Sequence, residues 1–184
     1  MEPIIVEIKI SSESQPSAFT PNPEVIQPND SVFWFNETDD THQPAPDGGA
    51  DNQWVKQPIA SGKGCSQVVF QKNGAFPYHC ATHPNVAREK GTITVSNLIE
   101  IRRDNGVDIT FDALTVAPGS YVNWANRDNQ GLQHQPVSAA FAVPAPIDPQ
   151  TRSAPIQFKT AGTFDYTCKL HPNEKGTLTV KVPT

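Results

Sequence analysis

Apolar and polar residues alternate within residues 1–10, and short runs rich in aromatic and β-branched residues recur along the chain, as in residues 32–36 and 121–125. Alternation with a period of two predicts β-strands with one buried face, and no segment shows a convincing helical period of 3.6 residues. Pro, Gly, Asn and Asp punctuate the runs, for example around residues 72–74 and 160–162, where they predict turns. Many short strands at this spacing predict an all-β protein built from Greek-key β-sandwiches.

The second half of the chain repeats the first. QPNDSVFWFN at 27–36 recurs as APGSYVNWAN at 117–126, and both halves close on Glu-Lys-Gly-Thr before a β-branched run. One strand pattern ends at Val95 and the next begins at Leu98, so we predict two tandem domains, residues 1–96 and 97–184. Six further positions match without a gap: Phe70, Gly74, Phe76, Tyr78, Cys80 and His83 against Phe158, Gly162, Phe164, Tyr166, Cys168 and His171.

Charge and composition argue against several classes of protein. The net charge of −5, without a Lys/Arg run, argues against nucleic-acid binding, and no apolar stretch approaches the length of a membrane span. Three Cys, an odd number in a chain of 184 residues, argue against a disulfide framework. The first ten residues lack the basic and apolar regions of a secretion signal, so we expect either a cytoplasmic protein or a mature form.

The His residues indicate the candidate chemistry, because all five lie in or beside one repeated pattern. One thiolate and two imidazoles form a trigonal set of mixed softness that binds copper as Cu(I) and as Cu(II). A lone Cys or His is more often structural, but two complete sets argue against that interpretation. We predict up to two copper ions per chain, the milder alternative being that one site is degenerate. The two sets are His42, Cys80 and His83, and His134, Cys168 and His171.

These motifs resemble those of the cupredoxin family of blue (type 1) copper proteins, which includes plastocyanin and amicyanin. The resemblance lies in VFWFN at 32–36 followed by His42, in GAFPYHCATHP at 74–84, and in GTFDYTCKLHPNEKG at 162–176. It implies a tandem cupredoxin fold, electron transfer with a redox partner protein, and a periplasmic or extracellular location. It also implies that electrons pass through the Cys ligand and leave through the His that follows it.

One feature departs from the family pattern. Cupredoxins usually supply an axial Met two residues before the closing Gly, and the only Met here is Met1. Glu89 and Glu174 take that place in the two halves. A carboxylate is a hard, charged ligand, so we expect it to favour Cu(II), lower the reduction potential and shift the spectrum from blue towards red or green. The alternative is that both carboxylates face solvent and leave copper three-coordinate.

Three further features leave alternatives open. His79, next to Cys80, has no His counterpart in the second half, which favours a surface or supporting role over a second copper centre. Cys65 corresponds to Ser153 and is interpreted as a half-buried small side chain or a free thiol. Acidic residues near His42 either steer a basic redox partner or form a solvated loop. They are Glu37, Asp39, Asp40, Asp47 and Asp51.

These observations favour one-electron transfer as the function. A mononuclear copper enzyme acting on nitric oxide, nitrite or superoxide is one alternative, and a copper storage or delivery protein is another. Multicopper enzymes need additional His clusters, and only His79 remains after the two sets are assigned. An electron carrier is therefore favoured over an enzyme.

Overall fold

The computed structural model describes residues 2–12, 17–48, 54–104 and 108–183. The chain divides into two compact units, Met1–Val95 and Ser96–Thr184. Asp51, one of the acidic residues near His42, lies outside the described residues. Among the residues described, no helix combines the length and the apolarity needed to cross a membrane.

The described part of the first unit contains eight strands in two sheets. They are β1 (Ile5–Ile10), β2 (Phe19–Thr20), β3 (Glu24–Ile26), β4 (Ser31–Asn36), β5 (Pro44–Pro46), β6 (Val68–Val69), β7 (Gly74–Cys80) and β8 (Lys90–Val95). One sheet has the order β2-β1-β4-β6 and the other β3-β8-β7-β5. Side chains from both sheets, including Trp34 and Tyr78, form one hydrophobic core.

The second unit repeats this topology strand for strand. Its described residues form β9 (Asn97–Asp104), β10 (Asp108–Phe111), β11 (Leu114–Val116), β12 (Ser120–Asn126), β13 (Pro136–Val137), β14 (Ile156–Phe158), β15 (Gly162–Cys168) and β16 (Lys175–Val180). The sheet orders β10-β9-β12-β14 and β11-β16-β15-β13 are those of the first unit. The structure confirms the prediction of an all-β chain folded as two cupredoxin-like β-sandwiches.

The strand that carries each Cys places it in the core. Along β7, the side chains of Phe76, Tyr78 and Cys80 are buried and alternate with more exposed ones, so all three lie on the inner face. In β15, Tyr166 and Cys168 are buried in the same alternation. The alternation along each strand therefore delivers its thiol to the inner face at the last residue of the strand.

Each core Tyr packs over a Gly of the neighbouring strand. Tyr78 lies opposite Gly91, and Tyr166 lies opposite Gly176, in the antiparallel register. A Cβ atom at Gly91 would lie 2.3 Å from the Tyr78 ring, and one at Gly176 would lie 2.4 Å from the Tyr166 ring. No larger side chain fits under the rings, which explains the Gly in the repeated Glu-Lys-Gly-Thr motif.

Candidate metal centres

Site 1 is a group of four side chains in the first unit. Cys80 Sγ lies 3.6 Å from His42 Nδ1 and 3.7 Å from His83 Nδ1. Glu89 Oε2 lies 3.2 Å from His42 Nδ1 and 3.0 Å from His83 Nδ1. Only the His83 side chain is substantially exposed within this group, at 32%. The structure thus brings together four predicted ligands, with one donor atom of each within 4.8 Å of the others: His42, Cys80, His83 and Glu89.

Site 2 is the equivalent group in the second unit. Cys168 Sγ lies 3.9 Å from His134 Nδ1 and 3.6 Å from His171 Nδ1. Glu174 Oε2 lies 2.9 Å from His134 Nδ1 and 3.4 Å from His171 Nδ1. The His134 side chain is fully buried, whereas that of His171 is 33% exposed. The four predicted ligands again have donor atoms within 4.8 Å of one another: His134, Cys168, His171 and Glu174.

A β-bridge holds the upstream His of each site. The N–H of His42 donates to the Ile59 carbonyl at 3.1 Å, and the N–H of Ile59 donates back at 2.7 Å. The side-chain amide of Asn36, the last residue of β4, donates to the same Ile59 carbonyl at 2.9 Å. The second unit has the same arrangement around His134 and the Asn126 amide. The Asn of the repeated strand therefore fixes the segment that carries the upstream His.

Reverse turns place the other His and the Glu of site 2. The N–H of His171 donates to the Cys168 carbonyl at 3.2 Å, and the N–H of Glu174 donates to the His171 carbonyl at 2.9 Å. Both bonds join residue i to residue i+3, the pattern of a β-turn. The N–H of Cys168 also donates to the Glu174 carbonyl at 3.0 Å, which closes the loop on itself.

The loop of site 1 is longer by one such turn. Five residues separate His83 from Glu89, whereas two separate the equivalent pair in site 2. The N–H of Val86 donates to the His83 carbonyl, and the N–H of Glu89 donates to the Val86 carbonyl, both at 3.0 Å. The last turn forms a short 3-10 helix, Ala87–Glu89. Three extra residues thus add one i to i+3 step and return the Glu to the same place.

Both thiols accept a backbone hydrogen bond. The N–H of Gln43 donates to Cys80 Sγ at 3.4 Å, and the N–H of Gln135 donates to Cys168 Sγ at 3.3 Å. In site 1, Thr82 Oγ1 also lies 2.9 Å from Cys80 Sγ. Backbone amide donors stabilise an ionised sulfur, and the thiolate is the form that binds a metal.

The donor separations fit a bound first-row metal ion. An ion such as Zn²⁺ lies about 2.3 Å from thiolate sulfur and about 2.0 Å from imidazole nitrogen, which puts the two donors about 3.5 to 3.8 Å apart in a trigonal or tetrahedral site. The sulfur-to-nitrogen distances of the two sites are 3.6, 3.7, 3.9 and 3.6 Å. A soft thiolate combined with two imidazoles suits copper. The residues present therefore fit a mononuclear copper ion in each unit.

The second ring nitrogen of the upstream His has a different partner in each site. His42 Nε2 lies 2.9 Å from Thr38 Oγ1, whereas His134 Nε2 lies 3.1 Å from Asp128 Oδ2. Arg103 donates to both oxygens of Asp128, from Nε at 2.9 Å and from Nη2 at 2.8 Å. The guanidinium holds the pKa of Asp128 well below its usual range. A buried, ionised carboxylate therefore contacts the Nε2 atom of the upstream His in site 2, whereas a hydroxyl does so in site 1.

The sequence pattern did not predict these three supporting residues. Thr38 and Asp128 occupy equivalent places, and each backbone N–H donates to the side chain of the Asn two residues earlier, at 2.9 and 3.0 Å. Aligning Asn-x-Thr with Asn-x-Asp in the two halves is the signal that finds this pair. Nothing in the sequence marks Arg103, which reaches Asp128 from β9.

His79 and Cys65 lie outside both metal groups of the described chain. His79 Nδ1 pairs with the carboxylate of Asp47. Cys65 Sγ accepts the backbone N–H of Trp34 at 3.2 Å, and Ser153 Oγ accepts the equivalent bond in the second unit at 3.0 Å. Burial raises the pKa of the Cys65 thiol, which keeps it neutral. A hydrogen bond to β4 therefore accounts for Cys65.

The fold and the two donor sets define a chain of two β-sandwich units, each with a candidate metal site. No protein-family model matches the chain, and no curated protein matches it.

Similar solved structures include variants of amicyanin. A methionine-to-alanine variant in the Cu(I) form is 23% identical over 47% of this chain and 82% of that chain, with a TM-score of 0.38. A proline-to-glycine variant in the reduced Cu(I) form at pH 4 is 22% identical over 47% and 82%, with a TM-score of 0.38. A reduced tryptophan-to-tyrosine variant is 21% identical over 48% and 86%, with a TM-score of 0.38. Each alignment spans less than half of this chain, so the functional assignment rests on the chain's own side chains.

Proposed function

We propose that each unit binds one copper ion through a Cys thiolate and two imidazoles, with a Glu carboxylate as fourth ligand, and that the chain carries single electrons. The observation behind this proposal is the repeated convergence of these four donors within 4.8 Å. Copper bound by such a set exchanges one electron between Cu(I) and Cu(II). The proposed ligands are His42, Cys80, His83 and Glu89 in site 1, and His134, Cys168, His171 and Glu174 in site 2.

The way the donors are held supports a carrier. An electron carrier needs ligands that move little between oxidation states, and the protein contributes by fixing their geometry. Each Cys ends a paired strand, and each upstream His is fixed by a two-bond bridge to a neighbouring segment. His83 and His171 are 32% and 33% exposed, so their rings connect the buried sites to the surface. We assign these two rings as the route by which electrons enter and leave.

The fourth donor distinguishes these sites from a copper site with an axial Met. Glu89 is 7% exposed, and its carboxylate faces both imidazoles of site 1. Glu174 faces both imidazoles of site 2 in the same way. A buried carboxylate requires a cationic or hydrogen-bonding partner, and a copper ion supplies a positive charge at this place. A hard, anionic ligand favours Cu(II), so we expect low reduction potentials.

An enzyme that activates a small molecule needs a coordination position open to that molecule. Four protein donors converge in each site, which favours a carrier over an enzyme. Adding azide to the copper-loaded protein separates the two functions. An unchanged optical spectrum is expected for the carrier, and a new azide-to-copper band would support the enzyme. Slow loss of copper to a chelator distinguishes the carrier from a delivery protein.

The partner we propose is a basic redox protein that approaches the first unit. Residues 1–96 hold 11 acidic and 6 basic residues, a net charge of −5, whereas residues 97–184 hold 8 of each. The side chains of Glu37, Asp39 and Asp40 are exposed close in sequence to His42. An acidic surface of this kind accelerates association with a positively charged protein, and salt screens the attraction. Electron exchange with a basic partner should therefore slow as ionic strength rises.

The function is tested by reversible reduction of the copper-loaded chain. Titration with a one-electron reductant should take up one electron per bound copper, and an inorganic oxidant should restore the original spectrum. Cys80→Ser and Cys168→Ser should each remove one of the two electrons. Bound copper that does not cycle, or steady consumption of nitrite or superoxide by the loaded protein, would contradict electron transfer as the function.

A further inference from the structure

The two sites differ in the charge of the group behind the upstream His. In site 1 this group is neutral: Thr38 Oγ1 lies 2.9 Å from His42 Nε2 and donates its own proton to Asn36 Oδ1 at 2.8 Å. In site 2 it is a carboxylate. The Asp128 side chain is 0% exposed and forms an ion pair with Arg103, which is 9% exposed.

The surrounding framework is the same in both units, so the exchange of Thr for Asp changes charge with little change in position. In each unit the Asn that ends the central strand fixes the backbone N–H of this residue and the bridge next to the His. Thr38 Oγ1 lies 2.9 Å from the Nε2 atom of its His, and Asp128 Oδ2 lies 3.1 Å from the Nε2 atom of its His.

The partner of Nε2 affects the metal site because the two nitrogens belong to one imidazole ring. With Nδ1 facing the metal, Nε2 carries the proton and donates it to Thr38 or to Asp128. A carboxylate acceptor draws on that proton more strongly than a hydroxyl does, which makes the imidazole a more electron-rich ligand. An electron-rich ligand stabilises Cu(II) relative to Cu(I).

We propose that Asp128, held by Arg103, is a positioning residue that lowers the reduction potential of site 2, so that the chain holds two copper ions whose potentials are set differently. The proposal rests on the proposed function, because it requires copper at His134 Nδ1. A purely structural role for the ion pair, joining β9 to the loop before His134, predicts a loss of stability with no change in potential. The potential is therefore the deciding measurement.

The experiment isolates site 2 by placing Cys80→Ser in the parent protein and in each site 2 variant. Asp128→Asn removes the charge and keeps an acceptor oxygen, whereas Arg103→Leu with Asp128→Thr installs the neutral partner of site 1. The midpoint potential is measured by spectroelectrochemistry on the thiolate-to-Cu(II) band. We expect each variant to favour Cu(I) over Cu(II) about tenfold more than the parent does. For a one-electron couple this raises the midpoint potential by about 59 mV.

The matched control is Thr38→Val in a Cys168→Ser background, which removes a neutral partner and should move the potential of site 1 far less. An unchanged or lower potential in a folded Asp128 variant overturns the proposal. If both variants unfold, NMR of the Cu(I)-loaded natural chain decides. The Nε2 proton of His134 should then resonate further downfield than that of His42, and equal shifts would overturn the proposal. Failure of the proposed function looks different, because the Cys80→Ser parent would then show no thiolate-to-copper band.

Discussion

The carboxylates of Glu89 and Glu174 are the residues that most affect the expected chemistry. Each faces both imidazoles of its site, at distances between 2.9 and 3.4 Å. Cys80 and Cys168 complete the two sites from the last position of a core strand. At the residue scale, we therefore expect the Glu of each site to set the reduction potential and the Cys to set the absorption.

Glu174→Met should raise the potential of site 2 and shift its absorption towards that of a blue copper protein. A soft thioether in place of a hard anion favours Cu(I), by about tenfold, or about 59 mV. The measurement is a spectroelectrochemical titration in the Cys80→Ser background. Glu7→Gln, at an exposed position of β1, is the control and should leave potential and colour unchanged. If Glu174→Met left the potential and the colour unchanged, as Glu7→Gln should, Glu174 would be excluded as a ligand.

Cys65→Ser should leave both the copper content and the stability nearly unchanged. Ser153 already accepts the same backbone hydrogen bond in the second unit, at 3.0 Å, so a hydroxyl can replace the thiol. Copper per chain and the thermal unfolding midpoint are the measurements. Loss of one copper from this variant would show that Cys65 takes part in metal binding.

At the scale of elements, turns and strand pairs set the geometry of the sites. The loop of site 1 differs from that of site 2 by one complete i to i+3 turn, and both end with the Glu beside the two imidazoles. Each core Tyr packs over a Gly of the adjacent strand. That Gly lies two residues after the Glu of the same site. The loop length and the Gly are therefore the local features on which the position of the Glu depends.

Deleting residues 85–87 should shorten the loop of site 1 to that of site 2 and leave copper binding intact. The deletion removes one whole turn, so Glu89 returns to the donor group through a single i to i+3 step. Deleting residues 85 and 86 alone breaks that spacing and should weaken copper binding about 10- to 100-fold. Copper affinity in the Cys168→Ser background is the measurement. Equal affinities for the two deletions would contradict the turn explanation.

Gly176→Ala should destabilise the second unit by about 1–3 kcal/mol, because the new methyl group collides with the Tyr166 ring. Gly162→Ala is the matched control. A Cβ there meets the Phe164 ring at 3.6 Å, which is an ordinary contact, so a small effect is expected. Denaturant unfolding of the two variants compares them directly. A free energy of unfolding reduced equally in both would count against the Tyr–Gly packing as the cause.

At the scale of the whole molecule, the chain consists of two units with the same strand order, each with its own core and donor group. The fold was predictable because alternation and turn residues are local signals, and the duplication made each of them visible twice. The convergence of His42 with Cys80 was suggested by the repeated motif. The backbone then brings them together through the pairing of β5 with β7.

The remaining features lie outside the repeated ligand motifs and were not predicted from the sequence. Arg103 lies 25 positions from Asp128 in the chain and reaches it only because β9 pairs with β12. The partner of His42 was likewise hidden, because a Thr four positions away carries no metal-binding signal. Two sites that share their proposed ligands can thus differ through residues that no ligand motif contains.

Copper loading of the full chain decides whether both sites bind copper through their Cys residues. We expect two coppers per chain and intense thiolate-to-Cu(II) absorption, with two distinguishable EPR signals from sites 1 and 2. Cys80→Ser and Cys168→Ser should each remove one copper and about half of the absorption, because each thiolate serves one ion. Copper that binds without the intense band, or a band that survives both substitutions together, would contradict the assignment of Cys80 and Cys168 as ligands.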